Sequence, residues 1–126
     1  MYNEMKNWSK KEQIKYIKGF TDGEGGPVMY RGKKIKNNKI YPQWDRKIAI
    51  TNSDKKLLFM LKKTLKSFNI ESHIYLNHKK GTGRCTIDSW QLIVLGKENI
   101  ERFGKIIGFT SIEKQAKFNQ ILASYR

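Results

Sequence analysis

One cysteine, two histidines and two prolines are all that this 126-residue sequence contains of those three types. A lone Cys85 cannot close an intramolecular disulfide, and one thiol with two imidazoles is too small a set for a closed zinc site. Acids are scarce as well: 11 Asp and Glu stand against 26 Lys and Arg, a formal net charge of +15. No apolar run is long enough to cross a bilayer. The opening residues, MYNEMKNWSKKEQ, lack the hydrophobic region of a signal peptide. These absences point to an intracellular protein without a membrane partner, housed in the cytoplasm or nucleoid, or in an organelle if encoded there.

The apolar fraction of 38%, with six Phe, six Tyr and three Trp, is enough for one hydrophobic core. The length suits a single domain spanning residues 1–126 rather than two. So large a net charge repels itself in the compact state unless a polyanion shares the surface. Phosphate backbone is the commonest such partner, with a membrane surface or an acidic protein as the other candidates. Codon bias accounts for part of the lysine excess, since Lys (21), Ile (15) and Asn (9) are abundant while Ala occurs three times. It does not account for the missing acids.

Ser9 followed by Glu12 is a capping box that opens a first helix. Ile14, Ile17 and Thr21 mark its inner face, with Phe20 beside them, and Gly19 and Gly23 share another face with Glu12 and Tyr16. Three glycines and a proline in Asp22-Gly23-Glu24-Gly25-Gly26-Pro27 should stop it. Strands are expected over 27–31 and 47–51, joined by a long basic loop or irregular ribbon rather than a two-residue hairpin. That segment carries Arg31, Lys33, Lys34, Lys36 and Lys39, with no acid from Gly25 to Trp44. Asn52 or Ser53 can cap a helix over 54–68, whose Leu57, Leu58, Leu61, Leu65 and Phe68 form an apolar stripe. A strand at 73–77, a turn at Lys80–Gly83 and a return strand over 84–94 follow, disturbed near Asp88 and Ser89. Helices over 97–107 and 111–125 close the chain, the second with a Thr110/Glu113 capping box. The expected fold is therefore α+β, in the order αββαββα(α), with a four-stranded antiparallel sheet covered by helices on one face. The open face would present His73, Tyr75, Asn77, Lys79, Arg84 and Thr86, hydrogen-bonding groups suited to base edges in a DNA groove.

Asp22 and Glu24 form the only close acidic pair in the first 44 residues. They lie at the C-terminal end of a helix, where the helix dipole disfavours carboxylates. A turn is the plain reading; a partial site for a hard divalent cation, completed by water and phosphate oxygens, is the functional one. The segment Ile17-Lys18-Gly19-Phe20-Thr21-Asp22-Gly23-Glu24-Gly25 resembles the signature motif of the LAGLIDADG homing endonucleases. It matches in glycines at the third and ninth positions, an apolar fourth, and acids at the sixth and eighth. Lysine stands at the usually small second position, and Glu24 where aspartate is commoner. The Ile50-Thr51-Asn52-Ser53-Asp54 lead into a helix and the late Phe109–Gln115 segment extend the resemblance along the chain.

The resemblance implies a site-specific DNA endonuclease working with Mg²⁺ or Mn²⁺ on double-stranded DNA. With one motif in the chain, it implies a homodimer whose motif helices approach through Gly19 and Gly23, under a saddle-shaped sheet. Glu24 would be the main metal ligand, with Gly23 beside it, and Asp22 and Gly19 would brace the paired helices. Lys114, and more weakly Gln43, Arg46 and Lys47, are implied as polar and basic groups around the metals. The alternatives are an intron maturase that binds RNA and a non-cleaving DNA-binding regulator. His73, His78 and Cys85 are expected to have no part in the chemistry.

Overall fold

The computed structural model describes residues 8–78 and 88–125, an α+β unit with a four-stranded antiparallel sheet and four helices on one of its faces. Helix α1 (Lys10–Glu24) starts at the expected box: Ser9 Oγ accepts the Glu12 N–H, and Glu12 Oε1 accepts that of Ser9, both at 3.2 Å. Its buried residues are Ile17 and Thr21, whose hydroxyl donates to the Ile17 carbonyl at 2.7 Å. The helix runs on through Asp22, Gly23 and Glu24 and ends at Gly25. Gly25 is required there for space. A Cβ on it would lie 2.0 Å from the Ala49 carbonyl oxygen, so only glycine lets the helix end turn directly into a strand against the backbone of Ala49 and Ile50.

The basic segment is not a loop. Strands β1 (Gly25–Lys36) and β2 (Lys39–Asn52) form one long antiparallel hairpin, in register from Gly25↔Ile50 to Lys36↔Lys39. Asn37 and Asn38, at φ 53° and 62°, are its two-residue turn. Positive φ at both central positions matches the right-handed strand twist, and asparagine tolerates that conformation better than most side chains. Pro42 falls where β2 pairs with β1 alone, a position that tolerates a missing N–H.

Beyond the hairpin arm, β2 pairs with β4 (Ser89–Val94), and β4 with β3 (His73–His78), giving the order β1-β2-β4-β3. The register breaks between Leu76 and His78. Directly opposed residues share a face, so Ile48/Val94 and Ile50/Leu92, all at most 1% exposed, identify the helix-covered side. Against it pack Leu58, Leu61 and Leu65 of α2 (Lys55–Ser67), Ile100 and Phe103 of α3 (Lys97–Ile106), and Phe118 and Ile121 of α4 (Ile112–Ser124).

Two caps differ from the sequence expectation. Asp54 itself caps α2, accepting the Leu57 N–H, while Asn52 Oδ1 accepts the Asp54 N–H. Ser111, not Thr110, caps α4 through the Lys114 N–H, and the Thr110 N–H donates to Asp22. The expected Lys80–Gly83 turn and the first part of the return strand lie outside the described residues.

Candidate active site and nucleic-acid interface

The last turn of α1 is fastened to the start of α4 from both directions. The Asp22 carboxylate accepts the Thr110 N–H at 3.2 and 3.3 Å. In return, Lys114 Nζ donates to the carbonyls of Thr21, at 3.1 Å, and Asp22. A cation on the last carbonyls of a helix satisfies otherwise orphaned acceptors and opposes the negative end of the dipole. Burial, the largest single influence on Asp22, opposes its ionisation. Hydrogen bonds from the Thr110 side chain and backbone and the Ser111 backbone, together with the Lys114 charge, outweigh it and hold the carboxyl below its ordinary pKa.

A carboxyl whose pKa is lowered by folding adds stability above its unfolded value, about 3.9, and loses it as pH falls through the folded value. Asp22→Asn should therefore melt below wild type at neutral pH, with the gap closing on acidification below about pH 4. Thermal unfolding across pH checks this; a gap undiminished at about pH 2 would contradict it.

Glu24 ends the same turn but joins none of these contacts. It is exposed, and among the described residues no hydrogen bond or ion pair engages it. Gly23 is exposed beside it. At both Gly19 and Gly23 an added Cβ would meet nothing within 4 Å. One residue past Glu24 an open cleft of about 380 Å³ begins, floored by Gly25, Gly26 and Ala49. Thr51 and Gln91 lie on its sheet side and Glu113, Lys114 and Lys117 on its α4 side. Gln91 Nε2 donates to Thr51 Oγ1 at 3.3 Å. Gly26, at φ +154°, has the Lys114 aliphatic carbons 3.2 and 3.3 Å from where a Cβ would sit, so its bareness seats that side chain.

The remaining candidates disperse. Arg46 donates to the hydroxyl of Ser124 at 2.6 Å and its carbonyl at 3.3 Å, and lies 4.5 Å from the Tyr125 ring centre. That is the far end of α4, roughly 15 Å along the axis from Lys114. Lys47 pairs with Val28 on the open face and approaches the Tyr30 ring at 5.9 Å. Gln43 pairs with Gly32, placing its backbone roughly 23 Å up the hairpin from Gly25. The structure thus brings Lys114 to the end of the motif helix, and neither Arg46 nor Gln43.

Among the proposed DNA contacts, Arg31, Lys33, Lys36 and Lys39 are exposed along the hairpin arm. The register divides them, Arg31 and Lys33 on one side and Lys36 with Lys39 on the other. His73 and Tyr75 occupy the open face opposite Ile93 and Gln91, their rings 6.3 Å apart. Lys79, Arg84 and Thr86, and the side chains of Lys34, Gln43 and Asn77, lie outside the described residues. The cleft also takes in Thr51, Gln91 and Lys117, which the motif does not point to. Gln91 had a signal, as the polar residue alternating with Trp90 and Leu92, and Lys117 another, three residues beyond Lys114.

A helix ending in an acid, glycine and acid, followed at once by the first strand of an open antiparallel sheet, is the arrangement that the motif implies. The family model for a LAGLIDADG-like domain matches residues 11–108. The chain belongs to that family. No curated protein matches it. Among solved structures this LAGLIDADG chain resembles an archaeal intron-encoded homing endonuclease, I-Vdi141I, complexed with DNA. The identity is 17% and the TM-score 0.59, over 91% of this chain and 69% of that one. It also resembles the homing endonuclease I-CvuI in two complexes. With an I-CreI target and 2 mM Mg, in which the DNA is not cleaved, the identity is 13% and the TM-score 0.62. With its own target and 2 mM Ca the values are 14% and 0.61. Both comparisons cover 90% of this chain and 66% of the other. At such identities the likeness shows a shared fold, and the LAGLIDADG chain spans about two thirds of those structures' length.

Proposed function

We propose that this LAGLIDADG protein is a homing-type endonuclease, a homodimer that cuts both strands of an approximately palindromic DNA site with a divalent metal. The observation that carries this reading is Glu24, an exposed carboxylate without a partner among the described residues, at the helix end where its charge is least favoured, in a chain of net charge +15. An acid kept there is explained by a cation.

Among the described residues no three His, Cys, Asp or Glu side chains gather into a metal cluster. One hard oxygen ligand per chain fits Mg²⁺ or Mn²⁺ only at a shared site, completed by Glu24 of the partner subunit, phosphate oxygens and water. When bound, such ions activate water and stabilise charge on the phosphate and the leaving oxygen. The chain's own part is to place Glu24. Asp22 and Lys114 fix the end of α1 against α4, and Gly25 fixes it against β2. The cleft beside it, with Lys114 and Lys117, offers positive charge to a phosphate backbone. The open sheet face and the hairpin arm would lie along the DNA.

Binding to duplex DNA should weaken steeply with salt as lysines release counterions from phosphate. For about 6–10 phosphate contacts the loss is roughly 10³–10⁵-fold between about 50 and 200 mM salt. Sedimentation of the complex should show two chains per duplex, since a twofold protein reads a twofold site. A flat salt response, or one chain per duplex, would argue against the proposal.

A further inference from the structure

Among the described residues, Asp45 is the only Asp or Glu in a strand. It faces Tyr30 across the hairpin, on the side of the sheet away from Ile48 and Ile50, with Lys47 next on the same side. The open face thus carries a carboxylate, a phenol and an ammonium together, Asp45 half-exposed and Tyr30 48% exposed. A surface built to attract phosphate loses affinity by holding an acid, because the acid repels the backbone and opposes counterion release. A neutral residue opposite Tyr30 would hold the hairpin without that penalty.

A carboxylate can do one thing that none of the hairpin's cations can: accept a hydrogen bond from an amino group. In the major groove the amino groups on base edges are cytosine N4 and adenine N6. Adenine sets its N7 acceptor beside N6, which a carboxylate repels, whereas the cytosine edge offers the donor alone. Tyr30 stands directly opposite the acid in the hairpin register. The Asp45 carboxylate opposite it, as an acceptor and as a charge, pushes the Tyr30 pKa above its ordinary value. A phenol is a donor at neutral pH and a carboxylate offers about four lone-pair sites, so this pairing leaves Asp45 able to accept from a base.

We infer that Asp45, paired across the hairpin with Tyr30 on the open sheet face, is a specificity-determining residue that selects cytosine at one position in each half-site of the DNA target. This rests on the DNA-reading role proposed above. The test is selection from a randomised duplex library, in calcium so that nothing is cut, with wild type, Asp45→Asn and Asp45→Ser. Asparagine pairs in bidentate fashion with adenine, so Asp45→Asn should move one position per half-site from cytosine to adenine, with roughly five- to a hundredfold discrimination. Serine accepts either base, so Asp45→Ser should flatten that position alone. Both variants should bind random duplex more tightly than wild type. Thermal unfolding confirms that each variant folds, and Asp45→Ser decides the matter if Asp45→Asn does not. One unchanged preferred site for wild type and the folded variants would overturn the role of Asp45 and leave the nuclease reading standing. No preferred site for wild type would overturn both.

Discussion

Replacing Glu24 by glutamine is expected to remove nearly all cleavage while leaving specific DNA binding in place. The carboxamide is almost isosteric, and Glu24 has no hydrogen bond or ion pair among the described residues to lose, so the last turn of α1 should stand. What disappears is the negative charge able to hold a divalent ion. Losing one transition-state contact of this kind costs about 3–4 kcal/mol, roughly a hundred- to a thousandfold in rate. Two symmetry-related losses around shared ions should cost more. Without metal, binding should tighten, since a carboxylate facing phosphates is gone. Asp22→Asn should behave differently, because its carboxylate is spent on the Thr110 N–H and its loss falls on stability. Cleavage and gel-shift titrations on one duplex, with magnesium for cutting and calcium for binding, separate the two. Cutting by Glu24→Gln at the wild-type rate would remove Glu24 from the active site.

Gly23→Leu is expected to break the working assembly without unfolding the chain. Gly19 and Gly23 are exposed, and a Cβ at either would meet nothing within 4 Å, so contacts within the described chain do not call for glycine. In a helix interior glycine is less favourable than alanine by about 1 kcal/mol, and Gly19→Ala should accordingly stabilise the isolated chain. A second α1 packed close against the first gives glycine its reason. Leucine at position 23 would enter that contact twice across the symmetry axis. Overpacking at about 1–3 kcal/mol per insertion weakens pairing by about 2–6 kcal/mol. Sedimentation with DNA should then show single chains on the duplex and loss of double-strand cutting, with the melting temperature held. An intact two-chain complex formed by Gly23→Leu would exclude this helix face as the contact.

The sequence made the helical half of the molecule legible because each helix states its own period and cap. Ser9 with Glu12 opens α1 where expected, and the Leu58, Leu61, Leu65 stripe is buried. The hairpin was hidden for a physical reason. A run of exposed lysines has no burial to impose alternation, and Asn37-Asn38 is a weaker turn signal than a pair containing glycine. Thr110 and Ser111 are both capping residue types, and nothing local in the sequence shows that the Thr110 N–H goes to Asp22, far away along the chain. The same distance concealed the fate of Arg46, whose partners Ser124 and Tyr125 close on it only when α4 packs beside β1 and β2. The position of Glu24 at the end of α1, by contrast, follows from its neighbours in sequence, since a helix end is a local property.

The nuclease account is tested most directly by giving the wild-type protein the duplex that it selects from a randomised library and following strand cleavage with magnesium, manganese and calcium. The expected result is an approximately palindromic duplex bound by two chains, cut in both strands with magnesium or manganese, and bound but left whole with calcium. A selected duplex that is bound tightly and stays uncut with magnesium and manganese alike would contradict it.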